Sequence, residues 1–334
     1  MVIQPSAIIM PSPILPLIVR LGLNRSMLAL GPSGGADPPR RFKSWLSEAY
    51  CHVLGSAQRR WYSGETPAFK SSNPSSGAAM SNIFGITLEN MERTLRVLEA
   101  RVSRPIPTKT GQGTVLRYKG KSAPEAIIQK LARYISGLNA AQLLLNYGYI
   151  QELGAIQRML DEFHEDISFL AFGIIFRDQD DLHKRYLEYF YLEEFDLDGK
   201  SIAYSQGRPL IPRKKIREYL AKHNPSGISD KELNDLQKAL TQTYSGYVHG
   251  ASPHIMDMCI GDPPSFRVKG LVGTIRIPEH FDDLKNYYYR GIISCAFAAK
   301  AFGDEVLFKE ITDFRNHFEI EARMDIAKIP KSGR

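Results

Sequence analysis

Residues 150–175 read IQELGAIQRMLDEFHEDISFLAFGII, and this stretch decides the fold class. Leu153, Ile156, Leu160, Phe163, Ile167, Leu170 and Ile174 recur at spacings of three and four, which collects them on one side of a helix. Phe169, Phe172 and Ile175 fall elsewhere around the axis, so the second half is apolar on most sides. A helix of that kind is surrounded by other helices. A strand, with its period of two, could not gather these side chains onto one face.

The pattern continues on both sides. Upstream, Leu88, Met91, Leu95, Leu98 and Val102 repeat the spacing while Glu89, Glu92, Arg93 and Arg96 face away, and Pro105 and Pro107 stop that helix. Gly111–Lys121 reads as a loop with a short strand at Val115–Tyr118. Ser122 and Pro124 then signal an N-cap and a first turn, opening a helix through Ile128, Leu131, Ile135 and Leu138 to about Gly148.

Downstream, the sequence predicts a helix over Asp178–Phe195, dense in tyrosine, and a short basic one over Arg213–His223. A capping box of Ser229 and Glu232 opens the next, which Gly250 closes. Pro278 opens a long helix that Gly303 ends, and Leu307, Ile311, Phe314 and Phe318 line the last. Residues 261–277 are the expected β element, with Phe266 and Val268 alternating, then Ile275 and Ile277, around Gly270 and Gly273. The expected fold is all-α, a bundle of about seven to nine helices with a small β-hairpin insertion over one end.

Residues 1–79 differ in kind. They hold nine of the chain's 20 prolines and few acids, with Ser-, Gly- and Pro-rich runs at Gly31–Pro39 and Ser71–Gly77. Such a segment cannot bury enough apolar surface to offset its ordering entropy, so a disordered leader is expected, with one short amphipathic helix near Phe42–Val53. It reads either as an Arg- and Ser-rich targeting peptide or as sequence upstream of a start at Met80. The second reading is preferred because helical patterning begins directly after Met80. Residues 80–334 form the predicted bundle domain.

Apolar residues make up 43% of the chain and charged residues 24%, which argues for a folded body and against a membrane class. The apolar stretch Ala7–Leu23 is broken by three prolines and Arg20, so no membrane partner is expected. Cys51, Cys259 and Cys295 are scattered, with no paired spacing, and fit a reducing cytoplasm. The formal charge of +7 is unevenly placed. Residues 1–79 carry 8 Lys/Arg against 3 Asp/Glu, and residues 80–334 carry 35 against 33. A nucleic-acid partner for the body therefore requires a local basic patch.

The segment Tyr244-Ser-Gly-Tyr-Val-His-Gly250, followed by His254, is the most informative in the chain. His249 falls in the last turn of its helix, where the negative dipole end favours imidazolium. Tyr244, Ser245 and Tyr247 lie within reach on the same turns, so a functional pocket beneath Gly250 stands beside a plainer reading of helix-end packing. This run, with Arg158-Met-Leu-Asp-Glu162, resembles an uncharacterised bacterial all-helical domain family distantly similar to the HEPN helical superfamily. The resemblance implies a helix bundle that dimerises and cleaves or binds RNA in stress or defence. Many members use an Arg and a His four to six residues apart, a polar residue following the Arg.

That spacing occurs as Arg158–His164, Arg177–His183 and Arg217–His223. Arg177, followed by Asp178, matches best: His183 would serve as general base and Arg177 would stabilise the phosphorane, with His249 a third candidate. Arg158 is followed by Met159 and sits about 120° from His164 around a helix, so it pairs more naturally with Glu162. A metal reading rests on Asp161–His164 and Asp180–His183, which share a face at i, i+3. It would require further carboxylates from among Glu89, Glu92 and Glu99, and a solvated acidic face is preferred. No metal or small-molecule cofactor is therefore expected. Phosphate loops, nucleophile elbows and zinc spacings are absent. Three functions remain open: an RNA-directed nuclease or binder, a non-catalytic interaction or dimerisation module, and a metal-binding bundle.

Overall fold

The long helix read at 150–175 is present in the computed structural model, which describes residues 74–111, 113–193, 211–223 and 244–322, with side chains from Ile83 onward. Elements are numbered in chain order. Helix α1 spans Pro74–Glu99, strands β1 and β2 span Ile106–Thr110 and Gly113–Arg117, α2 spans Ala123–Asn146, and α3 spans Ile150–Ile175. Helix α4 covers Asp181–Phe190 and α5 covers Arg213–Lys222. Residues 244–248 are helical. Helix α6 (Ser252–Met256), strands β3 (Cys259–Ile260) and β4 (Ser265–Phe266), α7 (Arg276–Ala301) and α8 (Glu305–Glu321) complete the described chain.

The all-α class and the bundle are as expected, and the apolar stripes explain the packing. Leu88, Met91, Leu95 and Leu98 of α1 and Ile128, Leu131, Ile135 and Leu138 of α2 are all buried. The second half of α3 is enclosed continuously from Glu165 to Gly173. Helices α2, α3 and α7 pack most extensively against one another, with α1 and α8 closing one side. Aromatic side chains fill the seams: Phe84 stacks on Tyr288 with centroids 4.2 Å apart, and Phe172 meets Phe297 edge-on at 4.9 Å. The N-terminus of α2 carries the expected cap, in which the Glu125 carboxylate accepts from the Ser122 N–H at 2.9 Å.

Three placements differ from the sequence reading, the first being the helix expected over Asp178–Phe195, which is confined to Asp181–Phe190 behind its N-cap Asp180. Helix α1 begins at Pro74, upstream of Met80, with a proline at its first position, where a missing N–H costs nothing. The main hairpin lies at 106–117, with Ile106 paired to Arg117 and Thr110 to Gly113. Within 261–277 only Ser265–Phe266 is a strand, and it pairs back onto β3 at Cys259–Ile260. Pro263 and Pro264 have no N–H to extend a ladder, and Gly261 and Gly270 take positive φ, so the chain turns instead of running straight. Ile275 and Ile277 join the start of α7. Pro107 is tolerated in β1 because that strand is an edge. The leader with its Phe42–Val53 helix, and the Ser229–Glu232 capping box, lie outside the described residues.

Candidate functional site

Each Arg–His spacing resolves into separate partnerships. His183 stands at the start of α4, behind its N-cap Asp180, and is buried. Its Nδ1 lies 2.8 Å from Asp180 Oδ1 and its Nε2 lies 3.2 Å from the Phe169 carbonyl oxygen. The ring is sandwiched, parallel to Phe169 at 3.9 Å and edge-on to Tyr219 at 4.7 Å. Both nitrogens are therefore engaged inside the protein, and neither faces a site where a ribose hydroxyl could approach. Arg177 follows the C-terminus of α3 at φ 53°, a left-handed conformation, and its side chain is exposed. The Asp178 N–H donates to the Gly173 carbonyl at 3.0 Å, closing the helix end around Arg177 as a glycine ordinarily would.

The other two pairs diverge as well. Arg158 bonds Glu162 at 2.8 Å, as the i, i+4 spacing predicts. His164 Nδ1 instead lies 2.9 Å from the buried Ser294 hydroxyl of α7. Arg217 bonds Glu165 at 2.8 Å, while His223 Nε2 lies 3.0 Å from Asp178 and its ring stacks on Phe176 at 4.7 Å. Of the two pairs read as metal ligands, Asp161 turns away from His164 to Arg290 of α7, whereas Asp180 meets His183 itself at 2.8 Å as the helix cap. No cluster of three or more potential metal ligands occurs among the described residues.

The Tyr244–His254 segment converges on α3 and α7. Two glycines make this possible. The His254 ring rests on Gly246, and the Tyr247 ring rests on Gly154 of α3, each so closely that a Cβ would overlap it. Tyr247 meets His254 edge-on at 4.4 Å and lies 6.1 Å from His280 of α7. The Tyr244 hydroxyl donates to Asp283 at 2.9 Å, and its ring lies edge-on to Tyr287 at 6.0 Å. The Gln151 amide donates to the His254 carbonyl at 2.6 Å. Ser245 is half-buried and its carbonyl accepts from the His249 N–H at 3.0 Å. Gly250, at φ 62°, reverses the chain at the helix end, and His249 projects to solvent just before it. The run is a packing motif whose glycines admit rings and whose tyrosines reach α7.

Beneath it lies a buried charge network that the sequence reading did not find. Arg290 bonds Asp161 and lies 5.2 Å over the Tyr287 ring. Further along α3, Arg213 of α5 bonds Asp166 and Glu165, and Lys130 of α2 bonds Asp166 at 2.8 Å. Burial pushes the Asp161 carboxyl up to about 6 against the pull of Arg290. Burial, with Arg290 nearby, lowers His164 to about 3. Gln157, fully buried one turn before Asp161, leaves both amide atoms without a hydrogen bond. A signal for this network existed. Arg290 interrupts the apolar run Tyr287-Tyr-Tyr-Arg-Gly-Ile-Ile293, and a cation inside such a run requires a buried carboxylate.

The basic patch that a polyanion partner would require lies elsewhere, on the β1–β2 ribbon. Residues 101–121 contain Arg101, Arg104, Lys109, Arg117, Lys119 and Lys121 and no Asp or Glu. Two of these cations anchor the ribbon. Arg101 bonds Asp304 at 2.8 Å, and the Arg117 guanidinium forks onto both oxygens of Glu193 at 2.7 and 2.9 Å. The outward face carries Pro107, Lys109, Thr114 and Leu116, all exposed. Arg104, Lys109, Lys119 and Lys121 are exposed and form no ion pair with any described residue. A scan against protein-family models, curated proteins and solved structures finds no match to this chain.

Proposed function

We propose that this protein is an RNA-binding helical module that contacts its ligand through the β1–β2 ribbon, and that Arg177 and His183 are not a nuclease pair. The observation that carries the reading is the charge segregation. The ribbon and its flanks hold six cations and no acid, while the rest of residues 80–334 carries 29 Lys/Arg against 33 Asp/Glu. A polyanion is steered to the ribbon and repelled by most of the remaining body. Thr108, Thr110, Thr114 and Tyr118 interleave the cations with hydroxyls of the kind that contact phosphate and sugar oxygens. Lysine, arginine and hydroxyl side chains of this kind direct binding to the phosphate and sugar and not to base sequence. Scattered cysteines fit a reducing cytoplasm, and no described helix is long and apolar enough to cross a membrane.

The test is salt-dependent binding of the full chain to a fluorescent single-stranded RNA. Four phosphate contacts give a log–log slope of about −2.8, so affinity should fall about 50-fold between 50 and 200 mM salt. Replacing Arg104, Lys109, Lys119 and Lys121 with Gln should abolish most of that slope. Residues 1–79 carry their own excess of five positive charges. RNA binding that keeps its slope in the ribbon variant would put the contact there and refute the proposal.

A further inference from the structure

The end of the bundle opposite the ribbon is apolar in a way a solvated surface is not. Sixteen large hydrophobic residues are exposed among the described residues, and ten of them fall within 143–149 and 248–275. Hydrogen bonds knit these two stretches into one surface. The Leu271 N–H donates to the Gly148 carbonyl at 2.8 Å, setting Val272 beside Tyr147. The bond from Gln151 to the His254 carbonyl brings Met256 to the start of α3. The Arg267 N–H donates to Met258 at 2.9 Å, and Arg276 bonds Asp257 at 2.7 Å, so Phe266, Val268 and Ile275 stand around the same short helix.

Two quantities identify the occupant. The ten side chains are on average slightly more than half exposed. At roughly 150 Å² for each large side chain, the lower figure for an aromatic, they offer about 850 Å². A stable pairwise interface uses about 800 Å² from each partner, whereas the largest apolar patch on a monomer is about 300–600 Å². The charge here is nearly balanced. Residues 248–276 hold Asp257 and Asp262 against Arg267, Lys269 and Arg276, and Asp257 is already neutralised by Arg276. Such a face neither repels a copy of itself nor attracts a polyanion. From these observations we infer that the surface formed by 143–149 and 248–275 is the interface of a symmetric homodimer. Helix α2, about 36 Å long at 1.5 Å per residue, separates this surface from the ribbon, so pairing leaves both ribbons open.

The experiment is light scattering of the full chain across about a hundredfold range of concentration, where a mass-action dimer declares itself. Wild type should show twice the chain mass. Val272→Glu and Ile275→Glu each bury a carboxylate in the interface and should weaken association at least about a hundredfold. Both residues are exposed, so the circular dichroism spectrum should stay as in wild type, and the melting temperature should lose only its dependence on protein concentration. Val306→Glu makes the same change at an exposed site on the opposite end, and should leave the dimer intact. A single-chain mass throughout would overturn the inference, as would a dimer indifferent to Val272→Glu and Ile275→Glu.

Discussion

Replacing His183 with Ala separates a structural histidine from a catalytic one. The imidazole makes two ring contacts, with Phe169 at 3.9 Å and Tyr219 at 4.7 Å, each worth about 0.5–1.5 kcal/mol. Its two nitrogens make hydrogen bonds worth about 1 kcal/mol apiece. Together these give about 3–5 kcal/mol, in line with removing a buried ring. For a domain of this size each kcal/mol lowers the melting temperature by about 2–4 °C, so His183→Ala should melt about 10 °C below wild type. The assay is thermal and urea unfolding of the full chain by circular dichroism. His183→Phe, which keeps the stacking and loses the hydrogen bonds, should fall between the two. Gly173→Ala supplies a check from the other side, because its Cβ would come within 2.6 Å of the His183 Nε2. A His183→Ala protein that melts with wild type, yet loses an RNA-cleaving activity that wild type possesses, would refute the structural role.

Three further outcomes follow from the geometry. Arg177→Gly relieves a left-handed backbone at φ 53° on an exposed side chain, and should raise stability by about 1 kcal/mol with RNA binding unchanged; a loss of binding would restore Arg177 to the site. Gly154→Ala forces the Tyr247 ring off α3 and should cost about 1–3 kcal/mol, with faster amide exchange across 244–256 as the local readout. His164, lowered to about 3 by burial, is neutral in the fold and must charge on unfolding, so its contribution is complete above pH 6.5 and is lost as pH falls toward 3. Asp161, raised to about 6, works in the opposite sense and adds stability as pH falls from 6 toward 4. In wild type the two offset. His164→Gln should therefore become more stable between pH 6 and pH 4 relative to its own value at pH 7, and a steeper acid loss in that variant would contradict the assignment.

Much of the fold was legible because helical burial is periodic. The stripes at Leu88–Leu98, Ile128–Leu138 and Leu153–Leu170 each needed only their own spacing to be recognised. Helix ends were equally local, since Ser122 with Pro124 and Gly303 after Ala301 act within one turn. The hairpin was harder. Alternation over two or three residues at Phe266–Val268 resembles a strand, yet pairing depends on a partner in register, and β1 found one across the turn at Thr110–Gly113. The Tyr244–Gly250 run was recognised as special, but its reason lies in Gly154, ninety residues away.

By itself the sequence determined which residues would seek shelter from water, where helices begin and end, and that positive charge gathers in two stretches. Only the tertiary structure decided what each polar side chain meets. Arg158, Arg177 and Arg217 share one spacing to a histidine, but one bonds a neighbour on its own helix, one projects into solvent and one crosses to α3. The physical reason is range. Helix formation is governed by contacts three and four residues apart, whereas a site is an encounter between side chains on different helices, set by how those helices pack.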